Sequence, residues 1–267
     1  MEPTGELAIR IGAALSIFAA LALWEALAPR RKPTVGRLAR WPAHVGLVVV
    51  YGALERLLIP VAAVGTAAIA AQRGFGLLNA IACPGWLAAA IGFVALDLAI
   101  YAQHVAFHKI PLLWRLHRMH HADLDVDVTT GLRFHPFEIL LSMLIKMAVV
   151  AALGVPVLAV VAFEVALNAT SMFNHSNATM PLWLDRIVRL FVVTPDMHRV
   201  HHSVLRRETD SNFGFNLPWW DRLFGTYRPQ PEAGHDGMTV GLPIFREPGE
   251  TRLDRLLSQP FREDRPH

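Results

Sequence analysis

Long apolar stretches, each closed by proline, glycine or a cluster of charge, set the organisation of this chain. Residues 6–28 are apolar apart from Arg10 and Glu25 near the ends, enough for a membrane-crossing helix of about 20 residues. Pro29 closes it. A second run covers residues 44–71 and is interrupted by Glu55, Arg56 and Pro60. The two charges read as a mutual or bundle-facing pair, since charge in lipid is costly, and the proline predicts a kink. Breakers at Arg73-Gly74 and Pro84-Gly85 frame a loop over 72–84, and a third helix is predicted over 86–108. Residues 137–174 are apolar apart from a break at Gly154-Val155-Pro156 and a few polar positions. They read as a helical hairpin that dips into the bilayer and returns, with Lys146 and Glu164 paired or snorkelling. Trp183–Phe191 is amphipathic and suits a helix lying at the interface. The expected fold is all-α: an integral membrane bundle of about four transmembrane helices, including the hairpin, with a cytoplasmic helical cap.

Composition sharpens this picture. Of 267 residues 53% are hydrophobic and the mean hydropathy is +0.35, too apolar for an ordinary soluble domain. The net charge of +3 is small, and no nucleic-acid motif or phosphate-binding glycine loop is present. Cys83 is the single cysteine, which excludes an intramolecular disulfide framework. Arg30, Arg31, Lys32, Arg37 and Arg40 form a loop with five positive charges and no negative one. By the positive-inside rule that loop is cytoplasmic, and the N-terminus and residues 72–84 lie opposite. The apolar N-terminal run reads as a retained anchor rather than a cleaved signal.

Histidine is where the chemistry concentrates. Ten of 13 histidines fall between His104 and His202, eight of them in three groups: His104-Val-Ala-Phe-His108, His117-Arg-Met-His120-His121 and His198-Arg-Val-His201-His202. Positions three and four apart share a helix face, so each group aims imidazoles in one direction. A cluster of protonated imidazoles would repel, and buried neutral ones would lack partners; a metal site removes both problems. The number of imidazoles exceeds what one structural zinc needs and fits two metals. Asp97, Tyr101, His104 and His108 share one face, which makes Asp97 a candidate to hold a ligating imidazole by its other N–H. Asp123, Asp125 and Asp127 alternate like a calcium loop but lack its glycine and glutamate; they read as a solvated loop beside the site. His44 reads as interfacial, and His235 and His267 as surface residues on a tail, from residue 234 onward, that wraps the cap loosely.

The pattern resembles the membrane-bound fatty acid hydroxylase and sterol desaturase superfamily over residues 85–228. The likeness rests on the three histidine groups and on several further elements. Phe134-His135-Pro136-Phe137-Glu138 is similar to that family's HPxE element. Phe173-Asn174-His175-Ser176-Asn177 and Thr194-Pro195-Asp196-Met197 resemble the elements before and within its third histidine group. Asn212-Phe213-Gly214 and Trp220–Thr226 resemble its C-terminal signature. The resemblance implies domains at 1–84 (membrane helices), 85–228 (di-iron domain) and 229–267 (tail). It implies two iron ions held by His104, His108, His117, His120, His121, His135, His175, His198, His201 and His202, with Asn177 beside Asp97 as a supporting residue, and O2 as co-substrate. His135 and His175 stand outside the three groups and read either as ligands or as supporting residues. The implied reaction is hydroxylation, or second to it desaturation, of a fatty acyl chain, a sterol or hopanoid, or a carotenoid. The alternative is a non-redox zinc membrane protein. No dinucleotide fingerprint, haem-attachment motif or cysteine cluster is present, so electrons are expected from an external ferredoxin or cytochrome b5-like carrier with its reductase. That carrier would dock near Arg206, Arg207 and Arg222.

Overall fold

The computed structural model describes residues 3–263, with side chains from residue 11. Its elements are helices: α1 (Pro3–Leu27), α2 (Arg37–Leu58), α3 (Ala62–Gln72), α4 (Leu77–Ala80), α5 (Gly85–Lys109), α6 (Pro111–His121), α7 (Pro136–Leu153), α8 (Val157–His175), α9 (Leu182–Val188), α10 (Pro195–His201), α11 (Arg206–Thr209), α12 (Trp219–Leu223), α13 (Gly234–Gly237) and α14 (Leu253–Ser258), with short 3-10 turns between some of them. Among the described residues four stretches are long and apolar enough to cross a membrane: Arg37–Ala80, Gly85–Lys109, Pro136–Leu153 and Val157–His175. The apolar part of α1, Ile11–Leu27, is shorter. The expected second span is not one kinked helix. Pro60 supplies no amide hydrogen, Ile59 before it leaves the helical region, and Ala62 takes φ 48°, so α2 and α3 are separate.

Sequence dictates how the spans stack. Ala63, Ala67 and Ala70 make a small-residue face on α3, which lets it approach α7 and α8 closely. Gly154 ends α7 with φ 70°, and Pro156 precedes α8, so the two form the expected hairpin. Gly76 sits on the hairpin tip: a Cβ there would lie 2.3 Å from the Gly154 nitrogen, so only glycine fits. The 72–84 loop therefore shares the end of the bundle that carries the hairpin tip, while His135 and His175 mark the other end. Ile110 is extended before Pro111, which starts α6 at its first turn. This reversal folds α6 back against the C-terminal end of α5.

The cap is held by buried charge. The Nε and Nη2 of Arg40 donate to Asp123 at 2.8 and 2.7 Å and its Nη1 donates to Asp127 at 2.7 Å. Arg133 reaches Asp123 at 3.2 Å. Thr129 and Thr130 complete the network. The expectation of a solvated aspartate loop is thus corrected: Asp123 and Asp127 are 0% and 4% exposed, because α2 brings Arg40 into the loop. Burial pushes the Asp123 pKa up, but Arg40 and Arg133 outweigh it and hold the carboxyl well below its ordinary value. His44 is likewise buried rather than interfacial, its Nδ1 2.9 Å from the Thr129 hydroxyl. The tail is packed rather than loose. Met238 and Val240 bury against Val126, and Leu256 joins Ala43, Leu47 and Met119. His235, expected at the surface, is 5% exposed with Nε2 3.6 Å from Asp196; His267 lies outside the described residues. Exposed Leu182, Trp183, Ile187 and Phe191, with Trp219, Leu223 and Phe224, form an apolar and aromatic shelf suited to the membrane surface.

Candidate metal centre

Nine histidines meet under the cap in two groups, each able to hold a metal ion: His104, His108, His117, His121 and His201 in one, and His120, His175, His198 and His202 in the other. All nine are at most 2% exposed. Helix geometry explains the division. In each HxxHH motif the residues four apart point together, and the neighbour of the last one points about 100° away. His117 and His121 enter the five-histidine group while His120 enters the other. In the third motif the assignment is exchanged: His198 and His202 enter the four-histidine group and His201 crosses to the first. His104 and His108 complete one group from α5, and His175 completes the other from the end of α8.

Hydrogen bonds fix which nitrogen faces inward. Nδ1 donates to the Phe213 carbonyl from His104 (2.7 Å), to the Arg133 carbonyl from His120 (3.1 Å), to the Ser171 carbonyl from His175 (2.6 Å) and to the Ser211 carbonyl from His201 (2.7 Å). His117 Nδ1 donates to Glu138 Oε1 at 2.7 Å. A carbonyl or carboxylate oxygen accepts, so in these neutral rings Nε2 carries the lone pair. Yet the Nε2 atoms of His104 and His117 stand 3.0 Å apart, and those of His120 and His175 stand 3.1 Å apart. Two lone pairs at that distance repel unless a cation lies between them. Two neighbouring ligands on an octahedral ion, each about 2.1 Å from it, would stand about 3.0 Å apart. His121 and His201 have an unpartnered Nε2, and both ring nitrogens of His108 and His202 lack a hydrogen-bond partner. The donor set therefore fits metal.

Charge state agrees. Burial, then neighbouring imidazoles, push the pKa values of His120, His121, His198 and His202 well below the ordinary histidine value; burial brings His201 to about 3. These rings are neutral at pH 7, the form that binds metal.

The other sequence candidates fall elsewhere. His135 is buried, but it caps α7 by accepting from the Phe137 amide, and its Nε2 lies 3.3 Å from the Leu257 carbonyl; it belongs to neither group. Asp97 holds Asn216, Leu217 and Trp220 rather than an imidazole. Asn177 pairs with the Arg31 backbone. Both position segments that carry the site. Glu138 is the supporting residue that the spacing of histidines does not reveal; its signal is the HPxE element itself. Asp221 is another, accepting from the amides of Phe213 and Gly214 and so fixing the carbonyl that holds His104. A cavity of about 290 Å³ adjoins the five-histidine group, with His104, His117 and Glu138 in its wall and α2, α5, α7 and α8 around it.

Membrane-length helices under a cap that gathers nine histidines define an integral membrane protein with a site able to hold metal. The chain belongs to the fatty acid hydroxylase family, whose model matches residues 89–226. It is similar to the ornithine lipid hydroxylase OlsE of Rhizobium tropici, 30% identical over 56% of this chain and 45% of that protein. It is also similar to alkylglycerol monooxygenase of Homo sapiens, 29% identical over 62% of this chain and 36% of that protein. Cholesterol 25-hydroxylase of Rattus norvegicus is 27% identical over 51% of this chain and 45% of that protein. The matched region thus spans less than half the length of these curated relatives. No solved structure matches the chain.

Proposed function

We propose that this chain is an O2-dependent di-iron oxygenase that hydroxylates a lipid drawn from the bilayer, with desaturation as the second reading. The observation that carries this is the pair of opposed Nε2 lone pairs, one in each buried histidine group. Two irons, when bound, supply the redox chemistry that activates O2 and an unstrained C–H bond, which side chains do not provide. In hydroxylation one oxygen atom goes to the lipid and the other leaves as water, so two electrons come from the external carrier and two protons from solvent.

The protein's part is to hold and shield. The ligands are the nine grouped histidines; His135 keeps a structural place at the start of α7. Glu138 and the carbonyls of Phe213, Arg133, Ser171 and Ser211 fix ring orientation and tautomer. The cavity presents lipid to the His104 and His117 side of the site and keeps bulk water away from it. The names of the relatives, which specify ornithine lipid, alkylglycerol and cholesterol, support a lipid substrate here. An external ferredoxin or cytochrome b5-like carrier supplies the electrons. Its docking place is the surface around Arg206, Arg207 and Arg222, a reading supported by the Arg206 guanidinium lying over Trp114, a ring 5.0 Å from His108 and 5.4 Å from His121. Arg206 is paired with Asp210, Arg207 with Glu232, and Arg222 donates to the Arg189 carbonyl. The histidine end faces the cytoplasm, a reading supported by the basic loop at Arg30–Arg40, which joins the cap through Asp196 and Asp123.

The test is iron-reconstituted protein in lipid nanodiscs with a reductase chain, followed for O2 consumption and hydroxylated lipid. Turnover that requires iron, O2 and reductant supports the reading. Tight zinc binding with no O2 uptake under any reductant contradicts it.

A further inference from the structure

The cavity beside the five-histidine group is not an apolar slot. Glu138, Ser142 and Lys146 recur every four residues on α7 and all line it, a polar stripe on one helix face. From the α8 side Glu164 answers Lys146 at 2.8 Å. Glu55 of α2 lines the same space. Gln103 of α5 donates to the Ser142 hydroxyl at 3.0 Å, while its own Oε1 is buried without a partner.

Eight residues separate Glu138 from Lys146, about 12 Å along the helix. The ion pair therefore stands deep in the membrane-crossing part, at the far end of the cavity from His104 and His117. Ionisable groups at that depth are expensive, and a buried pair contributes little net stability over apolar residues of the same shape. A pair that only tied α7 to α8 would be packed; this one faces open space.

We infer that the cavity binds a hydroxyl-bearing lipid with its hydroxyl at Lys146 and Glu164 and its apolar chain running toward His104 and His117. This rests on the proposed lipid oxygenase function and specifies its substrate class. A hydroxyl donates one hydrogen bond and accepts others, which matches an ammonium donor beside a carboxylate acceptor. A carboxylate matches neither need as well. It brings a second anion beside the Glu164 carboxylate that pairs with Lys146, and it offers Glu164 no proton. A plain hydrocarbon offers no hydrogen bond to Gln103 Oε1, which is buried without a partner. Lipid reaches the space past Asn168, a lining residue that is exposed on a membrane-crossing helix.

The experiment measures binding rather than turnover, with iron-loaded chain in nanodiscs under argon. Tritiated decan-1-ol is the probe, competed by decanoate and by decane, chains of roughly the cavity's length. Decan-1-ol is expected to bind about tenfold or more tighter than either competitor. The double variant Lys146→Met/Glu164→Met removes both charges together, so neither is left buried alone. It should retain its iron and lose the preference for the alcohol. Decanoate binding as tightly as decan-1-ol, or an unchanged preference in the double variant, overturns the proposal. Wild-type chain that holds iron and consumes O2 yet shows no preference sinks this inference and leaves the oxygenase reading standing; preference without iron does the reverse.

Discussion

The two histidine groups differ in what surrounds them. The five-histidine group looks outward on two sides. His104 and His117 meet the cavity, and His108 and His121 meet the half-buried Trp114. Among its supports is a carboxylate, Glu138. The four-histidine group is sealed. None of its members lines the cavity, and its supporting bonds come from the Arg133 and Ser171 carbonyls. Phe134 lies flat on His120 at 4.6 Å. The groups are nonetheless adjacent, with the rings of His121 and His202 4.6 Å apart and those of His198 and His201 4.9 Å apart. One group borders the cavity and a half-buried aromatic ring. The other lines no part of that cavity and lies behind the first.

Variants that remove one ligand give the largest expected effect and ask whether the groups work as one. Alanine at His121 or at His202 should each abolish product formation in a reconstituted assay, although the two residues belong to different groups. Substantial turnover in either variant would show that one group suffices. Next comes the support of the sealed group. Asp123→Ala removes the carboxylate that Arg40 and Arg133 share, leaving, among the described residues, Asp127 alone to answer Arg40 and no ion pair for the buried Arg133, and should cost roughly 3–5 kcal/mol of stability, read as a fall in melting temperature. Because the Arg133 carbonyl holds His120, iron should leave the four-histidine group first.

A third test removes the metal and varies pH. The folded pKa values of His120, His121, His198, His201 and His202 are lowered. Below about pH 6.5 the unfolded chain therefore takes up protons that the folded chain refuses, and stability falls with pH. Metal-free protein should keep a level melting temperature above pH 7 and lose it progressively toward about pH 3; a rise on acidification would contradict neutral buried rings. Glu138→Gln is gentler. It keeps an acceptor for His117 and removes the charge, so iron in the five-histidine group should bind about 10- to 100-fold more weakly, with the sealed group unchanged in chelator competition. The smallest effect belongs to His135→Ala, which removes a helix cap and should cost about 1 kcal/mol with no loss of iron. Iron loss there equal to that of His121→Ala would place His135 among the ligands.

What could be read from the chain alone follows from the range of each interaction. Apolar runs and three- and four-residue histidine spacing are local, so the hairpin at Gly154 and the gathering of histidines were legible. Which group each part of an HxxHH motif enters was not, because it depends on how α6 and α10 are rotated against each other. Asp123 looked solvated because its partner Arg40 lies 83 positions away on another helix. The tail looked loose because its apolar residues, Met238, Val240 and Leu256, are isolated in sequence and find partners only in the folded cap. Glu138 was visible as part of a motif, while its bond to His117 needed α7 to be set against α6.

Iron stoichiometry tests the central claim most directly. Wild-type chain reconstituted with ferrous iron and freed of excess should carry about two irons by mass spectrometry, and His120→Ala and His121→Ala should each fall to about one, from opposite groups. Wild-type chain with about one iron, or His120→Ala that still holds about two, would contradict a centre built from two histidine groups.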